Sequence, residues 1–365
     1  MEYVQERITT LHDFGGAAPS APTDRAVVVV PMTERDHASL AAERVLSTLE
    51  TVDPRQVIVA LRADPDRVPE VATWLDSFDL SLDVLWCNAP AVESALAEAA
   101  LDGHRGKGRD VWLALGIAAE RGEYVVVHDA DAENYAATHV PRLLFPLSQG
   151  DTFAKAYYAR VENDQLYGRL FRLLYVPLVR TLADAHDAAI LEYFGAFRYA
   201  LAGEFAATGE VARQLTPPRG WGLEVGTLGD AYEVAGFADT AQIDLGMHEH
   251  DHRAVGGPEG LGNMARDVAT ALFRVLEGNG VTPDYDSLPD RYRETARTYV
   301  EQYAADAAFN GLAYDRSDER DQIEAYAGAI SPPGEDDRLP AWDSTTLDPE
   351  RIATLAGEAL ADRRE

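Results

Sequence analysis

Gly106-Lys107-Gly108-Arg109-Asp110-Val111-Trp112, running on to Tyr124-Val125-Val126-Val127-His128-Asp129-Ala130-Asp131, is the stretch that decides the fold. Residues 109–122 read as a helix with Val111, Trp112, Leu115, Ile117 and Ala118 among its apolar positions. The run at 124–127 is all apolar, the mark of a strand buried on both faces, and it ends at His128-Asp129. Open α/β sheets place their ligands outside the carboxyl ends of such strands. Asp129 and Asp131 alternate along the strand end, so both carboxylates can turn toward one cation. Their hard oxygens suit Mg²⁺ or Mn²⁺, which keep waters and bind substrate phosphates. Lys107, in a glycine-flanked turn, can meet the same anionic ligand. The combination predicts a divalent metal on a diphosphate with a cation close by, the need of a nucleotide-sugar transferase.

Working outward, the pattern stays α/β. Residues 26–30 read as the first strand, stopped by Pro31, and residues 36–49 as a helix with Asp36 as its N-cap. Strands follow at 57–61 and 82–86, and helices at 68–78 and 91–100. Strands alternating with helices predict a mostly parallel sheet with crossover helices. After Asp131 the rhythm changes. Residues 152–160 alternate like a strand, 167–183 form a long apolar helix interrupted by Pro177, and 242–247 form a strand leading into His248-Glu249-His250-Asp251-His252. From about residue 260 the chain reads as helical, most clearly at 264–277 and 291–308, with a terminal helix at 349–364. The organisation predicted is a lead-in at 1–24, a catalytic domain at 25–255, a helical C-terminal extension at 256–330, and an acidic linker with the terminal helix at 331–365.

Composition narrows the function. Lys and Arg number 32 against 62 Asp and Glu, a formal charge of −30 over 365 residues. Nucleic-acid phosphates are held mainly by basic side chains, so this balance argues against a nucleic-acid partner and against a polybasic membrane anchor. Few lysines and many Asp, Glu and Ala point to a salt-adapted, halophilic cytoplasm, where screening relieves self-repulsion. Cys87 is the only cysteine, so no intrachain disulfide forms. It sits at a strand end, where it reads as a small buried hydrophobe. The N-terminal residues lack a signal-peptide core, and no apolar run approaches the roughly 20 residues of a membrane span. A cytoplasmic location is the expectation.

Four further segments carry polar chemistry. In the histidine-rich stretch at 248–252 a neutral imidazole can complete the cation site begun by the aspartates. Pro31-Met32-Thr33-Glu34, after the first strand, borders a nucleotide in an α/β sheet. Trp221-Gly222-Leu223-Glu224 offers a carboxylate for sugar hydroxyls or for a role as base or nucleophile. Tyr167-Gly168-Arg169 opens the long apolar helix, where backbone N–H groups and an arginine suit a small acceptor bearing carboxylate or phosphate. That helix reads as core, with docking on a membrane surface as the alternative.

In these residues the chain resembles the retaining GT-A glycosyltransferases of the glucosyl-3-phosphoglycerate synthase group (glycosyltransferase family 81) and, more distantly, the mannosylglycerate synthases. The resemblance runs from residue 27 to about residue 276. It implies a GT-A, Rossmann-like fold in which Pro31, Met32, Thr33 and Glu34 border the nucleotide base, Lys107 serves the donor, and Asp129, Ala130 and Asp131 form the D-x-D donor and metal motif. It further implies Gly168 and Arg169 as the acceptor turn, Glu224 as the sugar-binding or catalytic carboxylate, and His250 as the third metal ligand. The chain departs from the group in four places. Pro31-Met32-Thr33-Glu34 lacks the asparagine usual before the glutamate. Leu170-Phe171 stands where Val-Thr is usual, His248 where an arginine is usual, and Ala60-Leu61-Arg62-Ala63-Asp64 where a Ser-rich turn is usual.

The expectation is a metal-dependent retaining transferase that moves a hexose from UDP-glucose or GDP-mannose to a small hydroxy acid such as 3-phosphoglycerate or glycerate. Its product would be the precursor of a compatible solute, with Lys107 and Glu224 in the catalytic roles. Three alternatives share its motifs: a transferase with a polyprenyl phosphate or glycan acceptor, a nucleotidyltransferase, and a non-catalytic sugar-nucleotide binder. Apolar stripes on the C-terminal helices are compatible with a homodimer and equally with packing on the core.

Overall fold

The computed structural model describes residues 5–247, 249 and 258–364. In chain order its strands are β1 (Thr9–Leu11), β2 (Ala26–Thr33), β3 (Gln56–Arg62), β4 (Leu82–Trp86), β5 (Tyr124–Val127), β6 (Phe153–Ala159), β7 (Val161–Glu162), β8 (Gln165–Leu166), β9 (Phe205–Thr208) and β10 (Thr240–Met247). The helices are α1 (Leu40–Val52), α2 (Val68–Leu75), α3 (Pro90–Glu98), α4 (Lys107–Arg121), α5 (His139–Gln149), α6 (Val176–Ala183), α7 (Ala189–Ala196), α8 (Gly209–Gln214), α9 (Leu223–Val234), α10 (Pro258–Gly278), α11 (Leu288–Asn310), α12 (Arg316–Ala327) and α13 (Pro349–Arg364).

The main sheet runs β1-β10-β6-β9-β5-β2-β3-β4. Every pairing in it is parallel except those of β9, which lies antiparallel between β5 and β6. Val27, Val28, Val29 and Val30 of β2 and Val125, Val126 and Val127 of β5 are wholly buried, as a sheet covered on both faces requires. From β2 the chain winds outward through β3 to β4, then returns to lay β5 on the other side of β2. This is a topological switch point, and the loops leaving β2 and β5 flank its crevice. The sheet confirms the mostly parallel α/β reading.

Several boundaries differ from the sequence reading. Pro31 does not stop β2, which continues to Thr33 in register with β3, Pro31 facing Ala60. Pairing to β5 ends at Val29, so beyond it that edge of β2 needs no donor and proline's missing N–H costs no ladder bond. Asp36 is not the cap of α1. Ser39 is: its hydroxyl accepts from the Ala42 N–H at 3.1 Å, while Asp36 accepts from the Thr33 N–H at 2.7 Å and closes the loop before the helix. The long apolar helix begins as a π-helical stretch, Leu170–Tyr175, before α6. Its Phe171, Leu173, Leu174, Tyr175 and Leu178 are buried, so it is core rather than a membrane-docking face. Unforeseen from sequence are β1, which joins the sheet beside β10, and β9.

The C-terminal helices close on the rest of the molecule. α10 buries Ala265, Val268, Ala269, Leu272, Phe273 and Leu276, so its apolar stripe is internal. Gly229 of α9 shows how close that packing is, since a Cβ there would stand 2.4 Å from Val275. Further along, Trp342 stacks on Trp112 of α4 with ring centroids 4.2 Å apart, and each indole N–H donates to a backbone carbonyl of the opposing segment at 2.8 Å. No described helix is long and apolar enough to cross a membrane.

Candidate active site

Lys107 is the first residue of α4, so its ammonium projects from the amino end of that helix over the carboxyl end of β5. Its Nζ lies 2.7 Å from Asp129 Oδ1 and 2.9 Å from Oδ2, and donates to Glu224 Oε1 at 3.3 Å. Three residues singled out in sequence, from α4, the β5 loop and the first turn of α9, thus meet at one point. Burial works against the charged ammonium, but Asp129 and Glu224 outweigh it and raise the Lys107 pKa above its ordinary value. Lys107 is therefore a fixed cation.

The glycines on either side of Lys107 make this meeting possible. A Cβ on Gly106 would lie 2.5 Å from the carbonyl oxygen of Arg219, and one on Gly108 only 1.8 Å from that of Pro218. The Gly-Lys-Gly turn thus packs flush on the backbone that leads into Trp221 and Glu224. The Arg109 N–H donates to the Arg219 carbonyl at 3.1 Å and ties the two segments together. The partner of this close backbone approach is the protein's own chain.

Asp131 lies beside this cluster. Its Oδ1 is buried with no hydrogen-bond partner among the described residues. Burial, then the neighbouring charge of Asp129, push its carboxyl up to about 7, with Lys107 opposing. Behind the loop, the buried His128 ring sets its edge against Tyr135 at a centroid distance of 5.0 Å, which anchors the turn that presents both aspartates. An unsatisfied, buried carboxylate oxygen next to a second carboxylate fits a hard divalent cation. His250 and His248 lie outside the described residues. The backbone of Glu249, between them, is bonded to the loop just past Asp131: its carbonyl accepts from the Glu133 N–H at 2.8 Å, and its N–H donates to Asn134 Oδ1 at 3.2 Å.

The carboxyl end of β2 and the residue after it flank the crevice. Met32 is buried, while Pro31, Thr33 and Glu34 are partly exposed along the crevice. Glu34 Oε2 accepts from the Asp64 N–H at 2.7 Å, and Asn88 clamps the Ala63 N–H and carbonyl at 3.0 Å each. The turn that lacks the usual serines is thus held by side chains from two neighbouring loops. Arg62 at the end of β3 points to α4 instead, with Nε 2.8 Å from Asp110 Oδ2.

Gly168 and Arg169 sit at the start of the π-helical stretch. The Arg169 guanidinium is gripped by the C-terminal extension: Nε donates to Glu319 Oε1 at 3.0 Å, and Nη2 to Asp318. The buried Glu319 also accepts from Arg172 Nη1 at 3.1 Å. Arg172 in turn donates to the carbonyls of Tyr167 at 3.0 Å and Leu166 at 3.2 Å, just ahead of Gly168. One carboxylate of α12 therefore holds both arginines of this turn.

No family model matches the chain. Among curated proteins, it is 34% identical to the glucosyl-3-phosphoglycerate synthase of Methanococcoides burtonii, over 100% of this chain and 96% of that one. It is 32% identical to the enzyme of the same name from Persephonella marina, over 83% and 80%. The chain belongs to the glucosyl-3-phosphoglycerate synthase family. It is a glycosyltransferase. Among solved structures it matches the Mycobacterium tuberculosis glucosyl-3-phosphoglycerate synthase in complex with Mn²⁺, UDP-glucose and phosphoglyceric acid, at a TM-score of 0.57 and 25% identity over 76% of this chain and 90% of that chain. The same enzyme with Mg²⁺ and UDP matches at a TM-score of 0.56 and 26% identity, over 76% and 88%. The GT-A, Rossmann-like fold and the glycosyltransferase class expected from the sequence are thereby confirmed.

Three residues around the Lys107–Asp129 pair escaped the sequence reading. Gly203 packs on the ion pair so tightly that a Cβ there would meet Asp129 Oδ2 at 2.3 Å and Lys107 Nζ at 3.1 Å. Glu204, 1% exposed, lies next to it, and Lys155 of β6 is wholly buried nearby. The signal for Lys155 was available, because a lone lysine inside an apolar strand is anomalous. For Gly203 and Glu204 there was none, since β9 itself went unread.

Proposed function

We propose that this family member transfers glucose from UDP-glucose to the hydroxyl of 3-phosphoglycerate with retention at the anomeric carbon. The observation that carries the reading is the bridge of Lys107 between Asp129 and Glu224 at the switch-point crevice, with the orphaned Asp131 oxygen beside it. Asp129 and Asp131, with His250 as third ligand, would hold the metal; Mg²⁺ or Mn²⁺ there would supply positive charge to the donor diphosphate and to the departing UDP. The attachment of Glu249 to the loop after Asp131 supports the role of His250.

Pro31, Met32, Thr33 and Glu34 border the uracil and ribose, and Ala130 lies under the donor between the two aspartates. Lys107 contributes positive charge where the diphosphate negative charge grows, an electrostatic contribution needing no rearrangement. Glu224 accepts from hydroxyls of the glucose and orients its anomeric carbon. The Gly168 backbone and Arg169 take the anionic groups of the acceptor and set its hydroxyl on the same face as the leaving group. The acceptor oxygen then bonds to the anomeric carbon as the bond to the UDP oxygen breaks, and the hydroxyl proton passes to that departing phosphate oxygen.

The burial of Phe171, Leu173 and Leu174 favours this small acceptor over a polyprenyl phosphate, which would need an apolar docking face. A cytoplasmic place in a salt-rich cell, with the product feeding a compatible solute, accords with the formal charge of −30.

The test is UDP release by purified protein in molar KCl with Mg²⁺ or Mn²⁺. UDP-glucose and GDP-mannose are each paired with 3-phosphoglycerate, glycerate or no acceptor. Release only with UDP-glucose and 3-phosphoglycerate, lost in Asp131→Ala, is the expected result. Donor binding with no release under any pairing would overturn the reading in favour of a non-catalytic binder.

A further inference from the structure

The sequence contains only two lysines, Lys107 and Lys155, the remaining 30 of its 32 basic residues being arginines. Lys107 already has a place in the site. Lys155 lies in the middle of β6, in register with Phe205 of β9 on one side and Gln242 of β10 on the other, and is 0% exposed. A solitary buried ammonium is costly unless paired or hydrogen-bonded. Its Nζ donates to the carbonyl of Ala202 and stands 5.8 Å from the centre of the Phe205 ring.

The Ala202 carbonyl belongs to the peptide linking Ala202 to Gly203, the residue lying against Asp129 and Lys107. Ala202 is followed by Gly203 and then the buried Glu204, whose carbonyl accepts from the Ala156 N–H at 3.0 Å. The turn at 202–204 is thus held to β6 at both ends, by the Lys155 ammonium and by the backbone of the next residue. Its middle residue forms the back wall of the Lys107–Asp129 pair.

We propose that Lys155 is a positioning residue for the transferase reaction, holding the turn at 202–204 against the Lys107–Asp129 pair. This rests on the reading of Lys107 and Asp129 as donor-side residues. The charged groups around Lys155 come from four places: Glu224 on α9, Glu204 before β9, Lys107 on α4 and Asp129 after β5. Burial lowers its pKa to about 8, with Glu224 and Glu204 opposing. The ammonium is therefore largely retained at pH 7 by those carboxylates.

An arginine cannot take over this role. A planar guanidinium is larger than an ammonium and needs a wider, forked set of acceptors, whereas Lys155 is fully enclosed and its one described hydrogen-bond acceptor is a carbonyl. That is a physical reason for lysine at this position in a chain whose basic residues, Lys107 apart, are otherwise arginines.

The experiment compares wild type, Lys155→Met and Lys155→Arg for UDP-glucose turnover with 3-phosphoglycerate, alongside thermal unfolding. Protein labelled with ¹³C at lysine Cε adds a second readout, since two side-chain signals report the two sites separately. The expected result is a fall in kcat of about 10²-fold in Lys155→Met, the scale of a misplacement of about 1 Å. KM for 3-phosphoglycerate should stay within about threefold, the circular dichroism should be unchanged, and Lys155→Arg should give no rescue. One Cε signal should titrate near pH 8 while the other stays constant across the same range, and the remaining signal should shift in Lys155→Met as Lys107 and Asp129 lose their back wall. A Lys155→Met protein with full kcat and a higher Tm would overturn the inference and make the lysine merely a buried charge. A wild type inert with every donor and acceptor would strike at the proposed reaction instead. In that case an unmoved Lys107 signal in Lys155→Met overturns the positioning role, and a shifted one upholds the coupling between the lysines.

Discussion

The donor and acceptor walls proposed for the cleft are built in different ways. On the donor side Lys107 and Asp129 are 22 residues apart and meet because one helix and one strand of a single α/β unit bring them together. On the acceptor side Arg169 is held by Glu319, 150 residues away, from a helix of the C-terminal extension. The first geometry follows from the local rule that sheets of this class put ligands at strand carboxyl ends. The second depends on how the extension packs. Damage to the donor wall should therefore act on the chemical step, and damage to α12 on acceptor affinity.

The largest expected effect breaks the donor wall outright. Asp131→Ala should lower kcat by about 10³-fold, the scale of losing a metal clamp worth several kcal/mol. Titration with Mn²⁺ in the presence of UDP checks the cause, because affinity should fall in parallel. Lys107→Met should follow with a loss of about 10²-fold in kcat, the usual cost of removing one preorganised donor. Single-turnover rates at saturating UDP-glucose separate this from weaker binding. A Lys107→Met protein with normal kcat and a raised donor KM would mean that the bridge to Asp129 and Glu224 serves the ground state alone.

The acceptor wall should respond more mildly and in another parameter. Glu319→Gln keeps one acceptor for Arg169 or Arg172 but removes the charge holding both, so KM for 3-phosphoglycerate should rise about tenfold while KM for UDP-glucose is unchanged. Equal effects on both substrates would erase the distinction between the walls. The smallest effect comes from outside both. Asp151, half-buried two residues before β6, is pushed up to about 6 by burial and then by Asp239. A carboxyl whose folded pKa lies above its unfolded value binds its proton more readily when folded, so stability is gained as pH falls from about 6 toward 4 and is lost above 6. Asp151→Asn should raise Tm by about 1–2 °C at pH 7.5, after allowance for solvent screening, with no change at pH 4 and no change in kcat.

Legibility in the sequence followed the same division. The β5 run, Asp129, Asp131, the glycines around Lys107 and the carboxylate at Glu224 were each visible as residue types at a periodic or turn position, and the structure brings Lys107, Asp129 and Glu224 into contact. Pro31 misled, because proline normally ends an inner strand; whether it does so here depends on how far the neighbouring β5 extends. Asp36 misled because it sits three residues before a better cap, and only the geometry of the Ser39 hydroxyl decides between them. β9 was hidden because Phe205-Ala206-Ala207-Thr208 is too short to show a period.

What the sequence determined by itself is the class of sheet, the place of the crevice and the acid–base character of its donor wall, since each follows from side-chain periodicity and from residue types a few turns apart. Only the tertiary structure decided that Gly203 backs the Lys107–Asp129 pair, that both lysines of the chain lie around one group of carboxylates, and that Arg169 is held from α12. These contacts join segments whose separation along the chain carries no periodic signal. They form because a mixed sheet inserts β9 between β5 and β6, and because the C-terminal helices bury their apolar faces on the domain that precedes them.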